Sequence, residues 1–132
     1  MSTSTTSRFL RGAPYFPVPD VDQSVTYYER VLGFAREYVA GQPTQFAIMS
    51  RDGLPVMLRR VAAPERISPN ANQGGTWDVF FWVSDANVLH EQFLARGADV
   101  VYGPVVQQEY SMLEFAVRDR DGYVLGFGQS LE

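Results

Sequence analysis

Aromatic rings and a carboxylate alternate along one short segment of this 132-residue chain, and together they could bind a ligand. A β-strand would place Asp78, Phe80 and Trp82 on one face of its sheet, with Trp77 and Phe81 on the other. Rings beside a carboxylate suit a flat, cationic, partly apolar ligand through stacking and cation–π attraction. The same rings could instead fill a core or a dimer contact. Because both faces are aromatic, periodicity does not choose between these interpretations.

Charged residues within other apolar segments are a second group of candidates. A buried charge must be paired, so Glu114 is predicted either to form a structural ion pair with Arg59 or Arg118, or to set the polarity of a cavity mouth. Tyr110 and Met112 follow a predicted strand, in a loop, where specificity residues often lie.

Composition excludes several kinds of chemistry. The absence of cysteine excludes disulfides and thiolate catalysis. His90 is the only histidine and is expected to be a solvated helix residue; no serine or threonine has a His–acid pair for a nucleophilic triad. A net charge of −4 without clustered Lys and Arg indicates no nucleic-acid or anionic-membrane partner.

Neither end of the chain nor its interior predicts membrane insertion or secretion. Residues 1–7 are rich in Ser and Thr and lack the apolar run of a secretory signal. No apolar stretch is long enough to span a bilayer. A cytoplasmic protein is therefore expected.

The elements that would position the candidate residues occur twice. Glu114–Gln129 aligns without gaps on Gln45–Arg60, and about one identical pair would be expected by chance. The identical pairs are Phe46/Phe115, Ala47/Ala116, Arg51/Arg120, Asp52/Asp121 and Gly53/Gly122. Each copy has two short runs around an Arg-Asp-Gly turn, which predicts a β-hairpin.

A three-residue turn with Gly122 at positive φ would pair Val117 with Leu125 and Phe115 with Phe127, on one apolar face. The same register in the first copy gives an apolar face of Phe46, Ile48, Val56 and Leu58 and a sparse face that includes Ala47, Met49, Met57 and Arg59. Phe46 is therefore expected in the core.

Each hairpin is preceded by a strand, a helix and another strand. Asp20 and Asp85 stand where a helix N-cap would be, and Gly33 and Gly97 stand where the helices should end. The repeat predicts an α+β fold of two βαβββ modules related by a pseudo-twofold axis. Helices would cover the apolar sheet faces, and the sparse faces would turn toward a shared concavity that binds the ligand.

The predicted parts form one compact domain. They are a disordered tail (1–11), a first βαβββ module (12–61), a polar linker (62–76) and a second βαβββ module (77–130).

The pattern resembles the vicinal oxygen chelate superfamily, the group of glyoxalase I, bleomycin-resistance proteins and extradiol dioxygenases. The matching segments are Pro17–Phe34 and Glu114–Gly122. The second segment is similar to the family signature FAVRDPDG, with Arg120 in place of its proline. Ala13-Pro14 and Leu89-His90-Glu91 are most similar to the bleomycin-resistance-type binding proteins. The resemblance implies a curved mixed sheet around a cavity, and a homodimer whose cavities are completed across two chains.

Metal-dependent members of this family hold a divalent cation with two histidines and two glutamates. By position, the resemblance assigns these ligands to Ala13, Asp78, Gly126 and a residue near Met57. Only Asp78 has a side chain that ligates such a cation, and one carboxylate does not make a site. The expectation is a protein without metal or cofactor.

The resulting hypothesis is a cytoplasmic homodimer that binds and sequesters a bleomycin-class antibiotic without turnover. The residues expected to bind it are Arg59, Met57, Asp78, Phe80, Trp82, Tyr110 and Glu114. One alternative is a metal-dependent glyoxalase-like or dioxygenase-like enzyme with a non-standard site of Asp78, Glu114 and His90. Another is a relative whose concavity is filled by its own side chains.

Overall fold

A computed structural model describes residues 5–132. The predicted disordered tail, residues 1–11, lies partly outside the described residues, and residues 5–14 contain no helix or strand. The first half comprises β1 (Tyr15–Val18), α1 (Val21–Arg30), β2 (Ala35–Ala40), β3 (Phe46–Arg51) and β4 (Leu54–Arg60). The second half comprises β5 (Val79–Trp82), α2 (Ala86–Ala95), β6 (Asp99–Gln107), β7 (Met112–Arg118) and β8 (Val124–Ser130). Two 3₁₀ turns, Pro64–Arg66 and Asn70–Gln73, lie in the linker.

The ten elements confirm the predicted α+β fold with two βαβββ modules. They form two four-stranded sheets, ordered β1-β4-β3-β2 and β5-β8-β7-β6. The first strand of each module is parallel to the last, and the other neighbours are antiparallel, so both sheets are mixed. Neither helix is long and apolar enough to cross a membrane, within the part of the chain that the structure describes.

Both helices begin at the predicted caps. The carboxylate of Asp20 accepts a hydrogen bond from the Gln23 backbone N–H at 3.1 Å, and that of Asp85 accepts one from Val88 at 3.0 Å. These bonds satisfy backbone donors that the first turn of a helix leaves free. The α1 residues Val21, Val25 and Tyr28 are fully buried against the first sheet.

The β7–β8 hairpin has the predicted register. Val117 pairs with Leu125, Phe115 pairs with Phe127, and Gly122 adopts a φ of 94° in the turn. All four apolar side chains face the core.

The β3–β4 hairpin differs from the prediction by one residue. Arg51 pairs with Leu54, so the turn contains only Asp52 and Gly53, whose φ values are 52° and 79°. Positive φ at both positions is typical of the type I′ turn that Asp-Gly favours. The core face of this hairpin consists of Ala47, Met49, Val56 and Leu58.

Each sheet thus has a face covered by its helix and a face without one, which we call its open face. The first open face carries Tyr15, Tyr38, Phe46, Ile48, Met57 and Arg59. The second open face carries Phe80, Trp82, Tyr102, Met112, Glu114, Gly126 and Gly128. The prediction that Phe46 and Ile48 face the core is wrong, because the two-residue turn reverses the alternation in β3.

The helix-covered faces of both sheets contribute to one hydrophobic core. Each hairpin turn packs against the helix of the other half: the Tyr28 hydroxyl donates to Asp119 at 2.7 Å, and the Arg51 guanidinium lies 5.8 Å from the centre of the Phe93 ring. This reciprocity is what a pseudo-twofold relation between the halves produces. Because the covered faces meet in the middle, the open faces lie on the outside. The expectation that they share a concavity within one chain is wrong.

Candidate ligand-binding site

Two glycines in β8 make room for aromatic rings on the second open face. A Cβ atom on Gly126 would lie 2.5 Å from Cδ1 of Trp77, and one on Gly128 would lie 2.5 Å from Cζ of Phe80. Phe80 and Trp82 meet edge to face, with ring centroids 5.1 Å apart. The result is a continuous aromatic wall, and Trp82 at its end is 71% exposed.

Trp77 belongs to this wall, although sequence alternation predicts it on the opposite face. It precedes the first residue of β5, Val79, so strand alternation does not govern its direction. Its ring centroid is 4.7 Å from that of Phe80, and its Nε1 donates to the Tyr102 hydroxyl at 2.9 Å. Tyr102 was not predicted, because bulges on both sides of it in β6 interrupt the alternation.

Glu114 lies beside this wall, opposite Gly128, and is 1% exposed. Its Oε1 accepts a hydrogen bond from the Tyr110 hydroxyl, which raises the pKa of Tyr110 to about 12. Its Oε2 is buried and accepts no hydrogen bond from any residue in the described part of the chain. The predicted ion pair does not form within the chain, since Arg118 bonds Asp99 at 3.2 Å and Arg59 lies on the other sheet.

The Asp78 carboxylate binds backbone N–H groups of the chain. One carboxylate oxygen accepts the Asn70 backbone N–H at 2.9 Å, and the other accepts that of Val124 at 2.8 Å. These bonds attach the linker to the start of β8. Both oxygens of Asp78 therefore already have a donor.

The first open face presents a smaller aromatic cluster. Tyr15 and Tyr38, each more than half exposed, flank Phe46 with centroid distances of 6.3 and 6.2 Å. Met57 pairs with Tyr15 and Ile48, and Arg59 is exposed next to Phe46.

The seven predicted binding residues therefore divide between two outward faces. Met57 and Arg59 lie on the first sheet, and the others lie on or beside the second: Asp78, Phe80, Trp82, Tyr110 and Glu114. The contacts found among residues 5–132 do not bring the two groups together.

The four positions assigned to metal ligands do not fit a divalent cation. The rings of Trp77 and Phe80 occupy the space over Gly126 that a ligating side chain would need, and the Asp78 carboxylate is bound to backbone N–H groups. Across residues 5–132, no three His, Asp or Glu side chains are grouped for metal binding.

The alternative enzymatic site is not assembled either. His90 packs edge-on against Phe115 at 5.3 Å, on the helix-covered side of the sheet, rather than being simply solvated. Glu114 precedes Phe115 in β7 and so faces the opposite side.

A separate groove of about 310 Å³ lies between the halves, beside α2. Arg51, Leu54, Phe81 and Phe93 contribute to its walls, and Trp82 is the one predicted binding residue that reaches it. On the other side of the core, the corresponding position is filled by Tyr123 stacked on Phe16 at 4.2 Å. The groove is thus a gap in the interface between the halves.

The chain belongs to the glyoxalase/bleomycin resistance protein/dioxygenase superfamily, whose family model matches residues 12–127. The sequence resemblance is thereby confirmed. No curated protein sequence matches this chain.

Solved structures share its fold. TioX from Micromonospora sp. ML1 is 27% identical, with a TM-score of 0.70 over 93% of this chain and 100% of that one. A bleomycin-binding protein from Streptomyces verticillus, in complex with copper(II)-bleomycin, is 21% identical, with a TM-score of 0.67 over 96% and 100%. A glyoxalase/bleomycin resistance protein/dioxygenase from Nocardioides is 17% identical, with a TM-score of 0.67 over 97% and 87%.

Proposed function

We propose that the protein binds and sequesters a small molecule without converting it. The observation that carries this proposal is the second open face. Rings of Trp77 and Phe80 cover the Gly126 position, and Glu114 lies beside them with a buried oxygen that has no partner among residues 5–132. Rings and one carboxyl group can hold a ligand by stacking and hydrogen bonding. They do not supply the donor set of a metal-dependent enzyme.

The binding cavity is proposed to lie between two copies of the chain. The first open face of one copy would cover the second open face of the other. This contact would enclose both aromatic clusters. The exposed Tyr15, Tyr38 and Trp82 support this arrangement, because outward apolar patches of this kind mark interaction surfaces. A homodimer would then contain two equivalent cavities, with one wall from each copy.

The proposed ligand is a bleomycin-class glycopeptide. The protein is proposed to bind it in the cytoplasm. The family supports this choice, as does the fold shared with the copper(II)-bleomycin complex from Streptomyces verticillus. Flat heteroaromatic groups suit the wall formed by Phe80 and Trp82.

Titration with metal-free bleomycin, followed by tryptophan fluorescence, tests this proposal. The chain has two tryptophans, Trp77 and Trp82, and both lie at the second open face. We expect a saturable change that is lost in Phe80→Ala and kept in Leu94→Ala, which alters an exposed residue of α2. No change at millimolar bleomycin would reject bleomycin as the ligand.

Mass spectrometry of the recovered ligand separates sequestration from catalysis. The proposal predicts unmodified bleomycin after prolonged incubation. A converted product, together with stoichiometric nickel, zinc, iron or manganese in the purified protein, would favour the enzymatic alternative.

A further inference from the structure

Glu114 has an unmet hydrogen-bonding requirement that distinguishes it from other carboxylates of the chain. Tyr110 is its one side-chain donor in the described residues, and this bond uses Oε1 only. A buried acceptor without a donor is unfavourable, and most such atoms in proteins have a partner. A donor for Oε2 would therefore come from a water molecule, a ligand or a second copy of the chain.

The surroundings of this oxygen suit a positively charged donor. Gly128, opposite Glu114, is covered by Phe80 and by the Met112 methyl group, which together leave no room for a Cβ at that position. Burial raises the pKa of the Tyr102 hydroxyl, and the nearby charge of Glu114 adds to this rise. Aromatic faces attract cations, and hydrogen bonds in which the donor or the acceptor is ionised are about twice as strong as those between neutral groups.

We propose that Glu114 Oε2 accepts a hydrogen bond from a cationic nitrogen of the ligand, such as an amidinium, guanidinium or ammonium group. Tyr110 holds the carboxyl group through Oε1, and because Oε2 is buried in the single chain, the side chains that cover it must move for the ligand to reach it. Glu114 is then the residue that selects cationic over neutral ligands. This inference rests on the proposed binding function and specifies the ligand class for the same site.

Two probes of almost equal shape test the inference. Benzamidinium carries charged N–H donors, and benzamide is its neutral counterpart. Their affinities can be measured in the wild-type protein from the NMR shifts of the Trp77 and Trp82 indole N–H groups. We expect benzamidinium to bind about tenfold more tightly than benzamide, since a charged donor strengthens the hydrogen bond. Equal affinities in the wild-type protein would overturn the proposal, whatever any variant does.

Two variants locate the effect. Glu114→Gln should reduce the preference for benzamidinium to about twofold or less, because the ligand then meets a neutral amide. Glu109→Gln is the matched control: it removes an exposed carboxylate one residue from Tyr110 and should keep the preference near tenfold. A preference retained in Glu114→Gln would assign it to the general negative charge of the protein and reject the inference.

Two further outcomes separate this inference from the proposed function. Bleomycin binding without any preference for benzamidinium would leave sequestration standing and reject the role of Glu114. Conversion of the wild-type dimer to a monomer by both Glu114→Gln and Arg59→Gln would show that Oε2 pairs with Arg59 of a second copy. That result would also reject the ligand contact. Dimers that survive both substitutions, with the preference lost only in Glu114→Gln, support it.

Discussion

Hydrogen bonding separates the carboxylates whose oxygens are fully satisfied by the chain from Glu114, which has an oxygen without a donor among the described residues. Both oxygens of Asp78 accept backbone N–H groups, and Asp119 accepts two backbone N–H groups and the Tyr28 hydroxyl. These side chains are fully used by the chain. Glu114 is more buried than either but has one donor, Tyr110, among the described residues. Residue type alone therefore does not assign the role of a carboxylate in this chain, because that role depends on the donors around it.

Tyr110→Phe should lower the free energy of unfolding by about 1–3 kcal/mol, because the buried carboxyl group of Glu114 would lose its single donor. Urea denaturation measures this change. Gln108→Ala, on an exposed neighbour in the same loop, should stay within about 0.5 kcal/mol of the wild type. Equal stability of Tyr110→Phe and the wild type would show that the hydrogen bond contributes nothing net.

The turn between β7 and β8 connects the second hairpin to α1 through Asp119. Oδ2 accepts the Tyr28 hydroxyl at 2.7 Å, and Oδ1 accepts the backbone N–H groups of Asp121 and Tyr123 at 2.9 and 3.0 Å. Burial raises the pKa of Asp119 to about 6, in spite of these hydrogen bonds, which lower it. Asp121, beside it, also has a raised pKa because it is buried.

A raised pKa makes the folded state favour protonated Asp119. Its stabilising contribution is therefore full below about pH 3.8 and is lost as the pH rises through about 6. The rise from 3.8 to about 6 corresponds to about 3 kcal/mol. Denaturation at pH 4.5 and 7.5 should show the wild type gaining stability toward the lower pH relative to Asp119→Asn, which cannot titrate.

Asp99→Asn serves as the control, since Asp99 is an exposed carboxylate that pairs with Arg118, the residue before Asp119. It should keep the pH dependence of the wild type. The assignment to Asp119 would be contradicted if Asp119→Asn and the wild type changed in parallel between the two pH values.

Short-range sequence signals predicted the helices and strands. The faces of β3 were predicted wrongly, because the β3–β4 turn is one residue shorter than predicted. The caps Asp20 and Asp85 act within their own first turns, so sequence alone located both helices. The two hairpins share an Arg-Asp-Gly segment, but Asp52-Gly53 closes the first through two residues, with φ positive at both. Because strand faces alternate, that single residue exchanged Phe46 with Ala47 between open face and core.

The candidate site was predicted where it lies within regular strands and missed elsewhere. Alternation placed Phe80 and Trp82 on the same face of their strand, because β5 is uninterrupted there. Trp77 and Tyr102 join the same wall from positions where no alternation holds, before a strand and between two bulges.

The orientation of the two modules also escaped prediction. A repeat indicates that two units are alike, and alternation indicates which residues share a face. Neither specifies which neighbour that face will meet. Here the turns containing Arg51 and Asp119 pack against the helices of opposite halves, so the core lies between the helix-covered faces.

Trp82→Glu should convert the proposed dimer to a monomer without unfolding it. Trp82 is 71% exposed in one chain, so a charge there costs little in the monomer, whereas it would be buried and unpaired at the interface. Sedimentation velocity across micromolar concentrations measures the change, and circular dichroism checks the fold. Leu94→Glu, at an exposed position of α2, should remain dimeric. A dimeric Trp82→Glu protein would place the interface elsewhere.

In the proposed dimer, each cavity has one wall from the first open face of one copy and one wall from the second open face of the other. Loss of ligand binding would therefore depend on which faces are damaged in both copies. Suppose one variant lacks Met57 and Arg59 and another lacks Phe80 and Glu114, so that each alone assembles two defective cavities. Co-expressed, they form mixed pairs in which one cavity combines both intact walls and the other combines both damaged ones. Two inactive alleles would then rescue each other, with at most one functional ligand site per mixed pair.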